Sequence, residues 1–152
     1  MGSRRQARQY ALQALYTADV RGVSAMEALN ALWSGLMDGE GLEGRTPESD
    51  EVEFAQRLVL GTLEDREALD ALVEQCSTNW RIPRMPVVDR NILRMAGFEL
   101  KSCPDIPATV SINEAVELAK QFGTADSRAF VNGIVDRMGR QLGRLDDRSR
   151  RS

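Results

Sequence analysis

Arginines at helical spacing are the first groups in this chain whose types and positions could do chemistry. Arg5, Arg8, Leu12 and Tyr16 recur at i, i+3, i+7 and i+11 with Arg4 beside them, so a helix lines them along one face. Three cations in the first turns oppose the helix dipole, whose amino-terminal end already carries partial positive charge. A bound phosphate backbone accounts for that arrangement, and a solvated, frayed terminus is the alternative. Arginine's planar fork grips phosphate through two parallel bonds and stacks on bases. Lys101 and Lys120 are nevertheless the only lysines, and a high-GC genome spells arginine for lysine everywhere, so arginine usage alone decides nothing. Arg90, Arg94, Gly97 and Lys101 form a second, mostly basic row, in which Arg94 is either a ligand contact or the buried partner of Glu99 or Glu114.

One aromatic ring stands out near the other end. Val131, Ile134, Val135, Met138 and Leu142 make a helical apolar stripe, and Phe130 lies off it, on the side of Asp126, Gly133 and Arg137. Boundary packing and a ring offered to a ligand are equally good readings of that position.

Much other chemistry is excluded. The chain has no histidine and two cysteines, Cys76 and Cys103, which removes histidine-based zinc sites, Ser-His and Cys-His nucleophiles and a disulfide framework. It contains no phosphate loop, dinucleotide fingerprint or nucleophile elbow. Glu114 and Glu117 share a helix face and could act as an acid/base pair, but Glu114 has a capping role open to it. A binding adaptor is therefore the better class, with no catalytic residue, metal or cofactor expected. No apolar run approaches a membrane span of about 20 residues and the start has no apolar leader core, so a soluble, cytoplasmic protein is expected.

The net charge of −3 hides an uneven distribution. Residues 1–21 set four arginines against Asp19, residues 22–77 set three arginines against thirteen acids, and residues 78–152 set thirteen bases against nine acids. The central acids read as a solvated face that would keep a polyanion on the basic surfaces.

The elements that must position these groups all read as helices. The first spans about Ser3 to Asp19, with a small-residue stripe at Ala7, Ala11, Ala14, Leu15 and Ala18, and Arg21-Gly22-Val23 breaks it. Ser24 and Glu27 form a capping box for a second helix, about Ala25 to Met37, with Met26, Leu29, Leu32, Trp33 and Leu36 on its apolar side. Asp38 to Arg45, with three glycines, reads as a mobile loop, and Thr46-Pro47 as the start of the next helix. Helical pattern then runs from Glu48 to Gln75, with Gly61 a point of bending or close contact. Trp80 to Pro86 is a proline-interrupted hinge, Asp89 opens another helix with Leu93, Ala96 and Leu100 on its core face, and Ser111 with Glu114 spaces like a capping box. Gly123 ends that helix, and after Leu142 the periodicity is lost. The expectation is an all-α chain of about six to seven helices in two small bundles, residues 1–79 and 80–142, with a disordered tail at 143–152.

The wording of four segments is also familiar. DRNILRMAGFEL (89–100), SINEAVELAKQFG (111–123), DSRAFVNGIVD (126–136) and SRRQARQYALQALY (3–16) closely resemble the bacterial NusB family of transcription antitermination factors. The resemblance implies two helical bundles that bind the boxA element of ribosomal RNA leader transcripts as a single strand. It also implies a small-subunit ribosomal protein, NusE, as partner in the RNA polymerase antitermination complex. Carried over by position, it assigns Arg4, Arg5 and Arg8, with Tyr16 on their face, to RNA, the arginines on phosphate. It assigns Asp126, Ser127, Phe130 and Asn132 likewise, with Phe130 stacking on a base. Family members often carry a lysine where this chain has Ala129, and Arg128 next door is the substitute. The partner surface falls near Asp89, Arg90 and Arg94. Two alternatives accompany this reading. One is the RNA-binding domain of a ribosomal RNA cytosine methyltransferase, although the chain ends before any methyl-donor domain. The other is a protein-binding scaffold or homodimer.

Overall fold

Ser3 closes the first turn of α1 (Arg4–Arg21) by accepting the Gln6 amide at 3.1 Å, and Gly22, at φ 67°, stops the helix in the left-handed region that glycine enters without strain. The computed structural model describes residues 2–36 and 46–145. Among them seven α-helices and a single 3-10 turn are the regular structure, so the chain is all-α as expected. The helices fall into two compact units, Met1–Glu64 and Asp65–Ser152. The loop expected at 38–45 and residues 146–152 of the expected tail lie outside the described residues.

In the first unit α1 packs with α2 (Ala25–Gly35) and α3 (Ser49–Glu64). Ala7, Ala11, Ala14, Leu15 and Ala18 are all buried, so the small-residue stripe is a core face that lets neighbouring helices close in. Tyr10 is buried with them and meets Trp33 of α2 edge-to-face, ring centres 5.8 Å apart. The Ser24/Glu27 capping box is formed. Met26 is half exposed, however, and Ala28 fills the core position instead. Helix α3 begins later than Thr46-Pro47 suggests, because Glu48 occupies the cap. The Glu51 carboxylate accepts the Glu48 amide at 3.0 Å through one oxygen and the Ser3 amide at 2.9 Å through the other. One buried acid thus satisfies backbone donors at the beginnings of two helices.

The continuous helical pattern from Glu48 to Gln75 is in fact two helices, broken at Asp65 rather than bent at Gly61. The second unit holds α4 (Arg66–Cys76), the 3-10 turn Ile82–Arg84, α5 (Val87–Ser102), α6 (Ala108–Phe122) and α7 (Ser127–Gln141). Helix α4 packs on α5 and α7, which places the unit boundary ahead of the prolines from which residues 79/80 were read. Helix α5 is buried on nearly every side, as the central helix of a bundle must be. Ser111 does not cap α6, because the helix starts one turn earlier after Pro107. Its hydroxyl instead donates to buried Glu99 at 2.9 Å, joining α6 to α5. Residues 143–145 of the expected tail are packed instead: Arg144 donates to the Leu100 and Ile106 carbonyls at 2.6 and 2.7 Å, and Leu145 is buried. Cys76 and Cys103 are both buried, and burial pushes the Cys76 thiol up, with the Arg137 charge opposing. No described helix is long and apolar enough to cross a membrane.

Candidate nucleic-acid interface

Helix α7 presents its first two turns to solvent because Val131, Ile134, Val135 and Met138 take its opposite side into the core. The exposed arc has two flanks. On one, Ala125, Arg128, Ala129 and Asn132 line a shallow cavity of about 390 Å³. On the other, Phe130 and Asp126 join Trp80, Pro86, Asp89 and Thr124 around a cleft of about 310 Å³. Phe130 is half-buried, and its ring meets Trp80 edge-to-face, centres 6.3 Å apart at 78°. The off-stripe position noticed in the sequence therefore puts a ring at the lip of a cleft. Trp80, 48% exposed, was missed as a site residue because the turn that carries it has no periodicity; an exposed indole beside Arg81 was the available signal.

A buried polar link supports this cleft from beneath. The Ser127 hydroxyl donates to Asp89 of α5 at 2.7 Å and accepts the Thr124 amide at 2.9 Å, fixing the turn that enters α7. Both side chains are buried, Asp89 with only an edge at the cleft. Burial pushes the Asp89 carboxyl above the usual carboxylate range, and the Ser127 hydrogen bond pulls it partly back.

The middle of the second basic row is a seam, while Lys101 at its end is exposed. Arg94 is 1% exposed and donates to both Asp70 oxygens, at 2.7 and 3.2 Å, and to Asn91 at 3.2 Å. Asp70 of α4 thus supplies a carboxylate that grips this guanidinium through both oxygens. Lys101 pairs with Asp65 at 2.7 Å, and a Cβ on Gly97 would meet Leu69 at 3.3 Å, so the row fits α5 closely against the acids of α4. Arg90 is half-buried and reaches the Ile82 carbonyl at 3.5 Å.

In the first unit the arginines have divided fates. Arg5 and Tyr16 are exposed, whereas Arg8 is 3% exposed and Leu12 is buried with it. Phe54 of α3 is the cause: the Arg4 and Arg8 guanidinium carbons lie 4.6 and 5.3 Å from its ring centre. A cavity of about 520 Å³ beside them is lined by Arg4 and Arg57 but also by Asp50, Glu51 and Glu53, which repel phosphate from that side.

The sequence model of the NusB family matches residues 5–140. The chain belongs to the NusB family. It is 49% identical over 138 residues to the transcription antitermination protein NusB of Myxococcus xanthus, covering 91% of this chain and 95% of that protein. It is 50% identical over 138 residues to that of Desulforapulum autotrophicum, covering 91% and 92%. Among solved structures, T. maritima NusB superposes with a TM-score of 0.79 at 34% identity, covering 92% of each chain. A structure of antitermination factors NusB and NusE in complex with dsRNA gives a TM-score of 0.78 at 25% identity, covering 91% of this chain and 96% of that one. Within this NusB-family chain, the first two turns of α7 gather Asp126, Arg128, Phe130 and Asn132 at the surface. Asp89, Ser127 and Arg94 belong to the packing beneath.

Proposed function

We propose that this chain is an RNA-binding transcription antitermination factor. It takes a boxA-type single strand of a ribosomal RNA leader together with a NusE-type ribosomal protein, in the cytoplasm and as part of the RNA polymerase antitermination complex. The observation that carries the reading is the ring at the open cleft. Phe130 stands beside Trp80 with Arg128 and Asn132 on the adjoining flank, a combination that stacks a splayed base, reads its edge and holds its phosphate. Arg4, Arg5 and Arg128 act on phosphate, Tyr16 and Asp126 border the strand, and Arg90 serves the protein partner. Asp89 and Ser127 position the α7 turn, while Arg8 and Arg94 hold helices. Relatives of matching length are named as antitermination proteins, which supports a factor over a methyltransferase domain.

The test is a titration of a boxA-type single strand, its duplex and a scrambled strand, each with and without the ribosomal partner. The single strand binds best, and more tightly with the partner present. With three or four phosphates contacted, the log-log salt slope is about −2 to −3. Absent or salt-insensitive binding in every arm would favour a scaffold or homodimer. Preference for the duplex would replace base stacking with backbone recognition, the kind of RNA present in the related NusB–NusE complex.

A further inference from the structure

The turn after α4 lines a second, larger cleft. It measures about 480 Å³ and is bounded by Glu74, Gln75, Thr78, Asn79, Trp80 and Arg81. Trp80 is therefore a wall of both clefts. Two rings at 78° shield little of each other, so at least one indole face is left uncovered by Phe130.

The turn is already shaped. The Trp80 amide donates to Ser77 at 3.1 Å, the Ile82 amide to Glu74 at 2.9 Å and the Arg84 amide to the Arg81 carbonyl at 2.9 Å. At its start, Arg137 donates to the Cys76 carbonyl at 2.6 Å. Little ordering is left to pay for on binding. The Glu74 carboxylate is engaged by backbone, which tempers its repulsion of an anion. Thr78, Asn79 and Arg81 are exposed at the rim. An amide offers both a donor and an acceptor to a base edge, and a guanidinium offers phosphate a two-pronged grip.

We propose that this cleft is a second nucleotide site. It takes the neighbour of the nucleotide whose base enters the Phe130 cleft, on the same single strand. Trp80 is the shared stacking wall, Asn79 reads the base edge and Arg81 holds the phosphate. The inference rests on the RNA-binding reading above and deepens it.

A Trp33→Phe background leaves Trp80 as the one indole of a chain with two tryptophans. Trp33 Nε1 is buried without a hydrogen-bond partner, so the change removes no bond. Titrating this full-length protein with a boxA-type single-stranded RNA shifts or quenches the Trp80 emission. Trp80→Ala, made in the natural chain, weakens binding by about tenfold and Trp80→Phe restores most of it. Asn79→Ala and Arg81→Ala each weaken binding by about three- to tenfold, and Arg81→Ala also flattens the salt slope by about 0.7. As the RNA is shortened from one end, sensitivity to Asn79→Ala and Arg81→Ala disappears before sensitivity to Phe130→Ala. RNA that binds through Phe130 with silent Trp80 emission and indifference to Asn79→Ala and Arg81→Ala overturns the second site and leaves the antitermination reading standing. Loss of ribosomal-protein binding at unchanged RNA affinity assigns the face to protein and overturns it as well. No RNA binding in any arm removes both.

Discussion

Phe54 and Phe130 are the same side chain put to opposite uses. In the first unit Phe54 is 6% exposed, with the Arg4 and Arg8 guanidinium groups over its ring, so aromatic surface and cations are consumed by each other. In the second unit the buried cation Arg94 is consumed by Asp70, and Phe130 stays at the surface against another ring and not a charge. Where a ring meets an internal cation it holds helices together. Where it meets a second ring at the lip of a cleft, stacking surface remains for a base. The first unit thus keeps exposed Arg5 beside its ring-bound arginines, and the second keeps an open ring.

The sharpest way to break this contrast is to remove both phenyl groups separately. Phe54→Ala costs about 3–5 kcal/mol of stability, seen as a lowered midpoint in urea or heat, with RNA affinity of the folded fraction little changed. Arg94→Ala also unfolds rather than unbinds. It costs about 3 kcal/mol, the low end for a broken buried pair, because Asp70 keeps 24% of its side chain in water. Phe130→Ala weakens RNA by about 1–3 kcal/mol with a nearly unchanged melting temperature; the reverse pattern would return Phe130 to the core and erase the distinction.

Asp89 gives a subtler test, by pH. Its folded carboxyl is raised by burial, so the folded state holds the proton more tightly than the unfolded chain does. Stability from this group is therefore greatest below the ordinary carboxylate range and declines as pH rises through the raised value. Asp89→Asn keeps an acceptor for Ser127 and cannot ionise, so the natural chain gains stability on the variant as pH falls through that range. Parallel denaturation midpoints across pH would remove Asp89 from the account. The smallest effect belongs to Ala129→Lys, on the exposed arc between Phe130 and Arg128: one added phosphate contact steepens the salt slope by about 0.7.

Local pattern carried much of this to the surface of the sequence. The alanine stripe of α1 and the apolar stripe of α7 from Val131 to Met138 are core faces, because burial follows helical period directly, while Leu142 beyond the helix end is half-buried. The α2 capping box formed as spaced, yet the same spacing at Ser111 did not cap, since Pro107 started the helix a turn earlier and Glu99 claimed the hydroxyl. Long-range pairing was the hidden part. Nothing near Arg8 announces Phe54, and nothing near Arg94 announces Asp70, so Arg8 reads as a ligand cation, and Arg94 as either a ligand contact or a glutamate's buried partner, until α3 and α4 are in place. Trp80 escaped for the converse reason, since its importance comes from a ring fifty residues away.

The two thiols close the picture with a practical handle. Cys76 and Cys103 both lie inside the second unit, 3% and 0% exposed, while the first contains none. Alkylation of the native protein therefore keeps time for the opening of one half alone, and a bound strand that slows that clock has braced the half to which it is bound.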